Sequence, residues 1–126
     1  MSVATAIHEV EGVSVVGLSG RIILGDESGA LREAVQGLVA AGKRKIILNM
    51  SDVTYIDSAG LGILVGCYVS AKKNGALIRL CALGHKFQEV LQLTRLFTIF
   101  DVYDTLPAAI ESFRESSATT VAAGKP

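Results

Sequence analysis

The sequence contains no tryptophan, two prolines, two cysteines and two histidines in 126 residues, and its formal net charge is zero. Each shortage excludes something. Cys67 and Cys81 fall inside an apolar helical stretch and an apolar strand, so they read as reduced core thiols and not as a disulfide frame. No Cys/His spacing suggests a metal. A nucleic-acid binder needs a basic excess, whereas twelve basic residues here balance twelve acidic ones. The one basic cluster, Lys43-Arg44-Lys45, reads as the solvated start of a strand. The longest run free of polar side chains, Ala59 to Val69, is too short to cross a bilayer. The N-terminus has no basic start and carries Glu9 and Glu11 early, unlike a secretory signal. These absences point to a soluble, cytoplasmic protein.

What is present is apolar. Half of the residues are hydrophobic, enough to fill the core of one domain at this length. Val3 to Val10 and Val13 to Ser19 are short β-branched runs split by Glu11-Gly12, which predicts a hairpin. Gly20 to Gly25 reads as a link. Asp26-Glu27-Ser28 precedes a helix whose apolar positions are Leu31, Ala34, Val35, Leu38 and Ala41, with Gly42 as its stop. Lys45 to Met50 is a buried strand. Leu61 to Lys73 is a helix ending at Asn74-Gly75. Ala76 to Leu83 is a strand. Phe87, Val90, Leu91 and Thr94 space a short helix after Gly84. Phe97 to Tyr103 holds the last strand. Asp104-Thr105 caps a fourth helix that tolerates Pro107 in its first turn and turns Leu106, Ala109, Ile110 and Phe113 inward. From Glu115 the spacing stops, which predicts a mobile tail. Strands alternating with helices after a hairpin imply an α/β domain with a mixed sheet. Leu48, Ile56, Leu61, Leu64, Leu80 and Phe113 should be largely buried.

The stretch with most chemistry is Tyr55-Ile56-Asp57-Ser58-Ala59-Gly60-Leu61-Gly62. It places Asp57 and Ser58 where the chain leaves a sheet and starts a helix. Either side chain can cap that helix by accepting from a free backbone N–H. A polar pair at the carboxyl end of a strand and a helix N-terminus is also well placed to meet a ligand or partner. Gly60 and Gly62 cost up to about 1 kcal/mol each against alanine in a first helical turn. A close approach by another backbone or a ligand would account for that cost.

Val53-Thr54-Tyr55-Ile56-Asp57-Ser58-Ala59-Gly60-Leu61-Gly62 resembles the phosphorylation motif of the STAS domain, in its anti-sigma factor antagonist branch. The resemblance covers roughly residues 5 to 113. It implies a single STAS domain over residues 1–114, with a tail over 115–126. Its fold would be a mixed sheet of four to five strands with about four helices mainly on one face. In that family the serine after the aspartate is phosphorylated by a serine kinase that is itself the anti-sigma factor. The match therefore makes Ser58 the phosphoacceptor. Asp57, Ala59, Gly60, Gly62, Ile63, Cys67 and Asp26 become the expected partner-binding residues. The implied partners are that ATP-holding kinase and a resetting serine phosphatase, with no nucleic acid, membrane, metal or cofactor. The domain is expected to be a monomer in isolation and to perform no chemistry of its own.

Two positions depart from the pattern. Family members commonly carry G-x-L-D after the second strand; here Gly20-Arg21-Ile22-Ile23-Leu24-Gly25-Asp26 brings the acid later. Asp26 either takes the same place or caps the first helix. Ala59 stands where many relatives have serine or threonine, which leaves Ser58 the only hydroxyl of the turn.

Other motifs fail on particular residues. Gly20 to Gly25 nearly spells a phosphate loop, but Asp26-Glu27 stands where the lysine belongs, and two acids repel phosphate. Gly60, Gly62 and Gly66 miss the dinucleotide spacing by one position. A hydrolase needs a histidine near Ser58 and a G-x-S-x-G elbow; only His8 and His85 exist, and Asp57 and Ala59 flank the serine. In the second helix Leu61, Leu64, Val65 and Tyr68 form a stripe towards the sheet, while Ile63 and Cys67 lie on another side. Either a neighbouring helix covers that side or a partner docks there. Beside the phospho-switch stands a second reading, an adaptor subunit of a signalling or lipid-transport complex whose serine is only a contact. Nucleotide hydrolysis is a third, without a phosphate loop to support it.

Overall fold

The computed structural model describes residues 4–22 and 26–123, with side chains for 5–22 and 29–114. β1 (Ala4–Val10) and β2 (Val13–Ile22) form an antiparallel hairpin with Val10 opposite Val13. Glu11 and Gly12 both have positive φ, +52° and +81°. That is the two-residue turn whose twist suits a hairpin, and glycine at its second position relieves most of the strain. Glu11 also pairs with Arg114 of the last helix.

The chain then alternates α1 (Asp26–Ala40), β3 (Lys45–Ile56), α2 (Ser58–Lys73), β4 (Leu77–Cys81), α3 (His85–Thr94), a 3₁₀ turn (Leu96–Thr98), β5 (Asp101–Tyr103) and α4 (Leu106–Ala123). The sheet order is β1-β2-β3-β4-β5, and every pair after the hairpin is parallel. Because that order never reverses, crossovers of one hand place all their helices on one face. Accordingly α1, α2 and α3 share one core, with Leu31, Leu64 and Leu91 packed over Val16, Leu48 and Leu80. α4 follows the last strand and covers the opposite face, where Ala109 and Phe113 meet Val13, Val15, Ile47 and Cys81. Ile46, Ile47 and Leu48 are consecutive and fully buried because both faces of β3 are covered there.

A buried arginine secures α4. Arg79 on β4 stands between Ile47 and Asp101 in register. Its Nη1 donates to Ser112 Oγ at 2.8 Å, and its guanidinium lies 4.1 Å from the centre of the Phe113 ring. Asp101 supplies a carboxylate at 3.7 Å.

The elements depart from the sequence reading in several places. β2 continues past Ser19 to Ile22, and β3 past Met50 to Ile56. Two register shifts, between Gly17 and Ser19 and between Gly20 and Arg21, break the alternation along this extension. Asn49 Oδ1 accepts from the Ser51 amide at 3.1 Å beside the first of them. Ile56, expected in the core, is only half-buried at the strand's end, whereas Leu48, Leu61, Leu64, Leu80 and Phe113 are buried. The 3₁₀ turn shortens the last strand to three residues. α4 runs past Glu115, where apolar spacing stops. The side chains of 115–123 and residues 124–126 lie outside the described residues, and so does the side chain of Asp26.

Candidate functional site

β3 hands the chain to α2 through a single residue. Asp57 is extended (φ −101°, ψ −179°) and is the N-cap of α2. Its Oδ1 accepts from the Gly60 amide at 2.7 Å, and its carbonyl accepts from the Leu61 amide at 2.9 Å. Its own amide donates to the Ile22 carbonyl at 3.4 Å, tying the turn to the end of β2. Of the four amides that the start of a helix leaves open, the Asp57 side chain thus satisfies that of Gly60, and the Ile22 carbonyl that of Asp57 itself.

Gly60 is buried against the same carbonyl. A Cβ built there would stand 2.0 Å from Ile22 O and 2.8 Å from Ile22 C. The close approach that the sequence required is therefore a backbone, that of β2. Gly62 differs: a Cβ there would meet nothing within 4 Å, and the residue is exposed.

With Asp57 as the cap, Ser58 is left over. It is the first residue of α2 and exposed, and its hydroxyl has no hydrogen-bond partner among the described residues. Ala59 and Ile63 are half-buried beside it, and Cys67 is 6% exposed. The side of α2 that carries Ile63 and Cys67 faces α1, so the covering-helix alternative holds there, with a groove between the two helices. Of the expected contact residues, Asp57, Ser58, Ala59, Gly62 and Ile63 keep exposed surface, while Gly60 and Cys67 shape the site from within. On the neighbouring strand ends, Arg21 lies 5.2 Å from the centre of the Tyr55 ring, and Thr54 Oγ1 donates to the Gly20 carbonyl at 3.2 Å. Nothing in the sequence pattern singled out Arg21 and Tyr55; their pairing follows from the shifted β2–β3 register.

The turn has no nucleophile-activating partner among the described residues. His85 is exposed on α3 and faces Glu89 at 3.1 Å. Burial pushes the Cys67 thiol up, and the nearby Arg32 guanidinium only partly offsets this. Burial likewise pushes Cys81 up to about 11. Both thiols are therefore protonated at neutral pH and inert as nucleophiles. Among the described residues no group of His, Cys, Asp and Glu could hold a metal ion, and no helix is long and apolar enough to cross a membrane.

These features define a small mixed-sheet α/β domain whose polar face is a strand-to-helix turn. The chain belongs to the STAS domain family, whose model matches residues 4–109. A Thermotoga maritima protein, provisionally named an anti-sigma factor antagonist, is 40% identical over 73 residues. That match covers 58% of this chain and 65% of the relative, just under two thirds of its length. The anti-sigma-B factor antagonist of Bacillus subtilis is 28% identical over 102 residues, covering 81% of this chain and 92% of the relative. The crystal structure of an anti-sigma factor antagonist from Mycobacterium paratuberculosis superposes with a TM-score of 0.77 at 30% identity. It covers 90% of this chain and 95% of that one.

Proposed function

We propose that this domain is an anti-sigma factor antagonist switched by phosphorylation of Ser58. The observation that carries the reading is the division of labour in the turn: Asp57 holds the helix, and Ser58 is exposed with an uncommitted hydroxyl. The names of its relatives supply the class. Unmodified, the domain docks on an anti-sigma factor that is a serine kinase and so frees the sigma factor. The docking face is Asp57, Ser58, Ala59, Gly62 and Ile63, with Gly60 and Cys67 holding its shape. Asp26 belongs to this proposal through the family pattern alone.

The kinase transfers the γ-phosphoryl group of ATP to Ser58 Oγ. The hydroxyl proton passes to a base on the kinase, and ADP leaves. The new group carries about −1.5 to −2 charges at neutral pH. It stands at the N-terminus of α2, where the amides of Ser58 and Ala59 are not used by Asp57 and the helix dipole favours an anion. The fold therefore survives, and the change is at the surface. A hydrated dianion beside the Asp57 carboxylate replaces a small hydroxyl where the partner needs contact. A serine phosphatase resets the switch. The domain itself catalyses nothing and works in the cytoplasm.

Titration calorimetry of the unmodified protein and of protein carrying phosphoserine at position 58, each against its anti-sigma factor, tests this reading. Tight binding of the first and at least tenfold weaker binding of the second is expected. Equal affinities would overturn the switch.

A further inference from the structure

The groove between α1 and α2 encloses about 610 Å³. It exists because Ala59, Gly62 and Gly66 present almost no side chain towards α1. A Cβ at Gly62 or Gly66 would meet nothing within 4 Å. Its lining is mixed: Val35 and Val39 on α1 and Ile63 and Cys67 on α2 are apolar, and Gln36, Ser70 and Asn74 add uncharged polar groups. Arg32 is its single charged lining residue, and no acid lines it. Among the described residues that guanidinium has no ion-pair or hydrogen-bond partner.

The occupant follows from shape and charge. The volume lies within the roughly 300–1,000 Å³ of small-molecule sites. Both walls are helices whose backbone groups bond internally, so the groove offers no edge to pair a strand. Asn74 Nδ2 is committed to the Ser70 carbonyl, which leaves Arg32, Gln36 and the Ser70 hydroxyl as the side-chain donors for an occupant. A partner helix is about 10–12 Å across with its side chains, broad for a trough cut by missing side chains on one wall. A narrow chain with one anionic end fits: the trough follows α2 from Ala59 to Asn74, about 22 Å of helix axis.

We propose that this groove binds a free long-chain carboxylate, its head on Arg32 and its hydrocarbon along Val35, Val39, Ile63 and Cys67. The groove shares Ala59, Gly62, Ile63 and Cys67 with the proposed docking face, but the assignment uses neither Ser58 nor a partner protein, and a titration of the isolated domain reads it separately from the phospho-switch.

Decanoate, below its aggregation concentration, is the probe. Decanol and decyltrimethylammonium supply the same chain without charge and with the opposite charge. Amide chemical shifts of the labelled protein should move at Gly62, Gly66, Cys67, Val35 and Val39 with decanoate, and at least fivefold more ligand should be needed with either control. Arg32→Gln should weaken decanoate at least fivefold and erase the preference over decanol. Gly66→Leu fills the trough from an exposed helical position and should abolish binding with an unchanged circular dichroism spectrum. Ser70→Leu, at the other end of the lining, gives the same reading should Gly66→Leu fail to fold. The proposal is overturned if wild type does not bind, if the shifts fall elsewhere, if decanol binds as well, or if the folded filling variants bind as wild type does.

Discussion

Gly60 touches Ile22: the carbonyl oxygen of Ile22 occupies the place where a side chain at position 60 would begin, 2.0 Å from its Cβ. The same oxygen accepts from the Asp57 amide. The start of α2 is thus seated on the end of β2, and the exposed serine is held by a backbone contact that only glycine permits. Gly60→Ala should cost about 1–3 kcal/mol through overpacking, partly masked by alanine's better helix propensity. Gly62→Ala, in open space, should gain up to about 1 kcal/mol. Urea melts of the two variants check this, and equal effects would contradict the assigned contact.

The two residues of the motif should separate in stability. Asp57→Ala removes the cap and should cost about 0.5–2 kcal/mol. Ser58→Ala removes a hydroxyl with no partner and should stay within about 0.5 kcal/mol of wild type. Denaturant midpoints of both variants decide it. A larger loss at Ser58 would mean that serine, and not Asp57, caps the helix.

Arg79 fastens α4 to the sheet. Arg79→Ala takes away its hydrogen bond to Ser112 and its place over Phe113. The loss should be about 1.5–3 kcal/mol, as for other hydrogen bonds to charged groups. Hydrogen exchange should speed up in Leu106–Phe113 before it does in α2. Uniform acceleration across the chain would contradict a local fastening.

Alkaline stability should track Cys81. Burial raises its thiol to about 11 from the ordinary 9.0. Folding then favours the protonated form, so this contribution is complete below about pH 9 and is lost as the pH rises towards 11. Melting temperatures from pH 8 to 11 should fall more steeply for wild type than for Cys81→Ala. Parallel curves would contradict the shift.

The turn that carries the candidate site was legible in the sequence because its geometry is local. A cap, a serine and two glycines must stand at fixed offsets within six residues, and the family pattern reads those offsets directly. The core strands and helices were legible for the same reason: Leu48, Leu64 and Leu80 sit in runs whose period survives folding. The extension of β3 was not legible, since the register shifts opposite Gly17 and Gly20 destroy the alternation that marks a strand. Pairing by itself cannot be seen in one chain. The choice between Asp57 and Ser58 as cap, and the different duties of Gly60 and Gly62, depended on where the end of β2 lies. Arg79 reaches partners 22 and 33 residues away, in Asp101 and Ser112. Only the sheet order brings those together.

The central claim is that Ser58 is the residue the partner modifies, and phosphosite mapping by mass spectrometry tests it most directly. The protein is incubated with its anti-sigma factor kinase and Mg-ATP, digested, and its peptides sequenced. One added phosphate on Ser58 in wild type, and none on the Ser58→Ala protein under the same conditions, is the predicted result. Phosphate on another residue, or Ser58→Ala modified as fast as wild type, would contradict it and leave the domain an adaptor whose exposed serine is a contact.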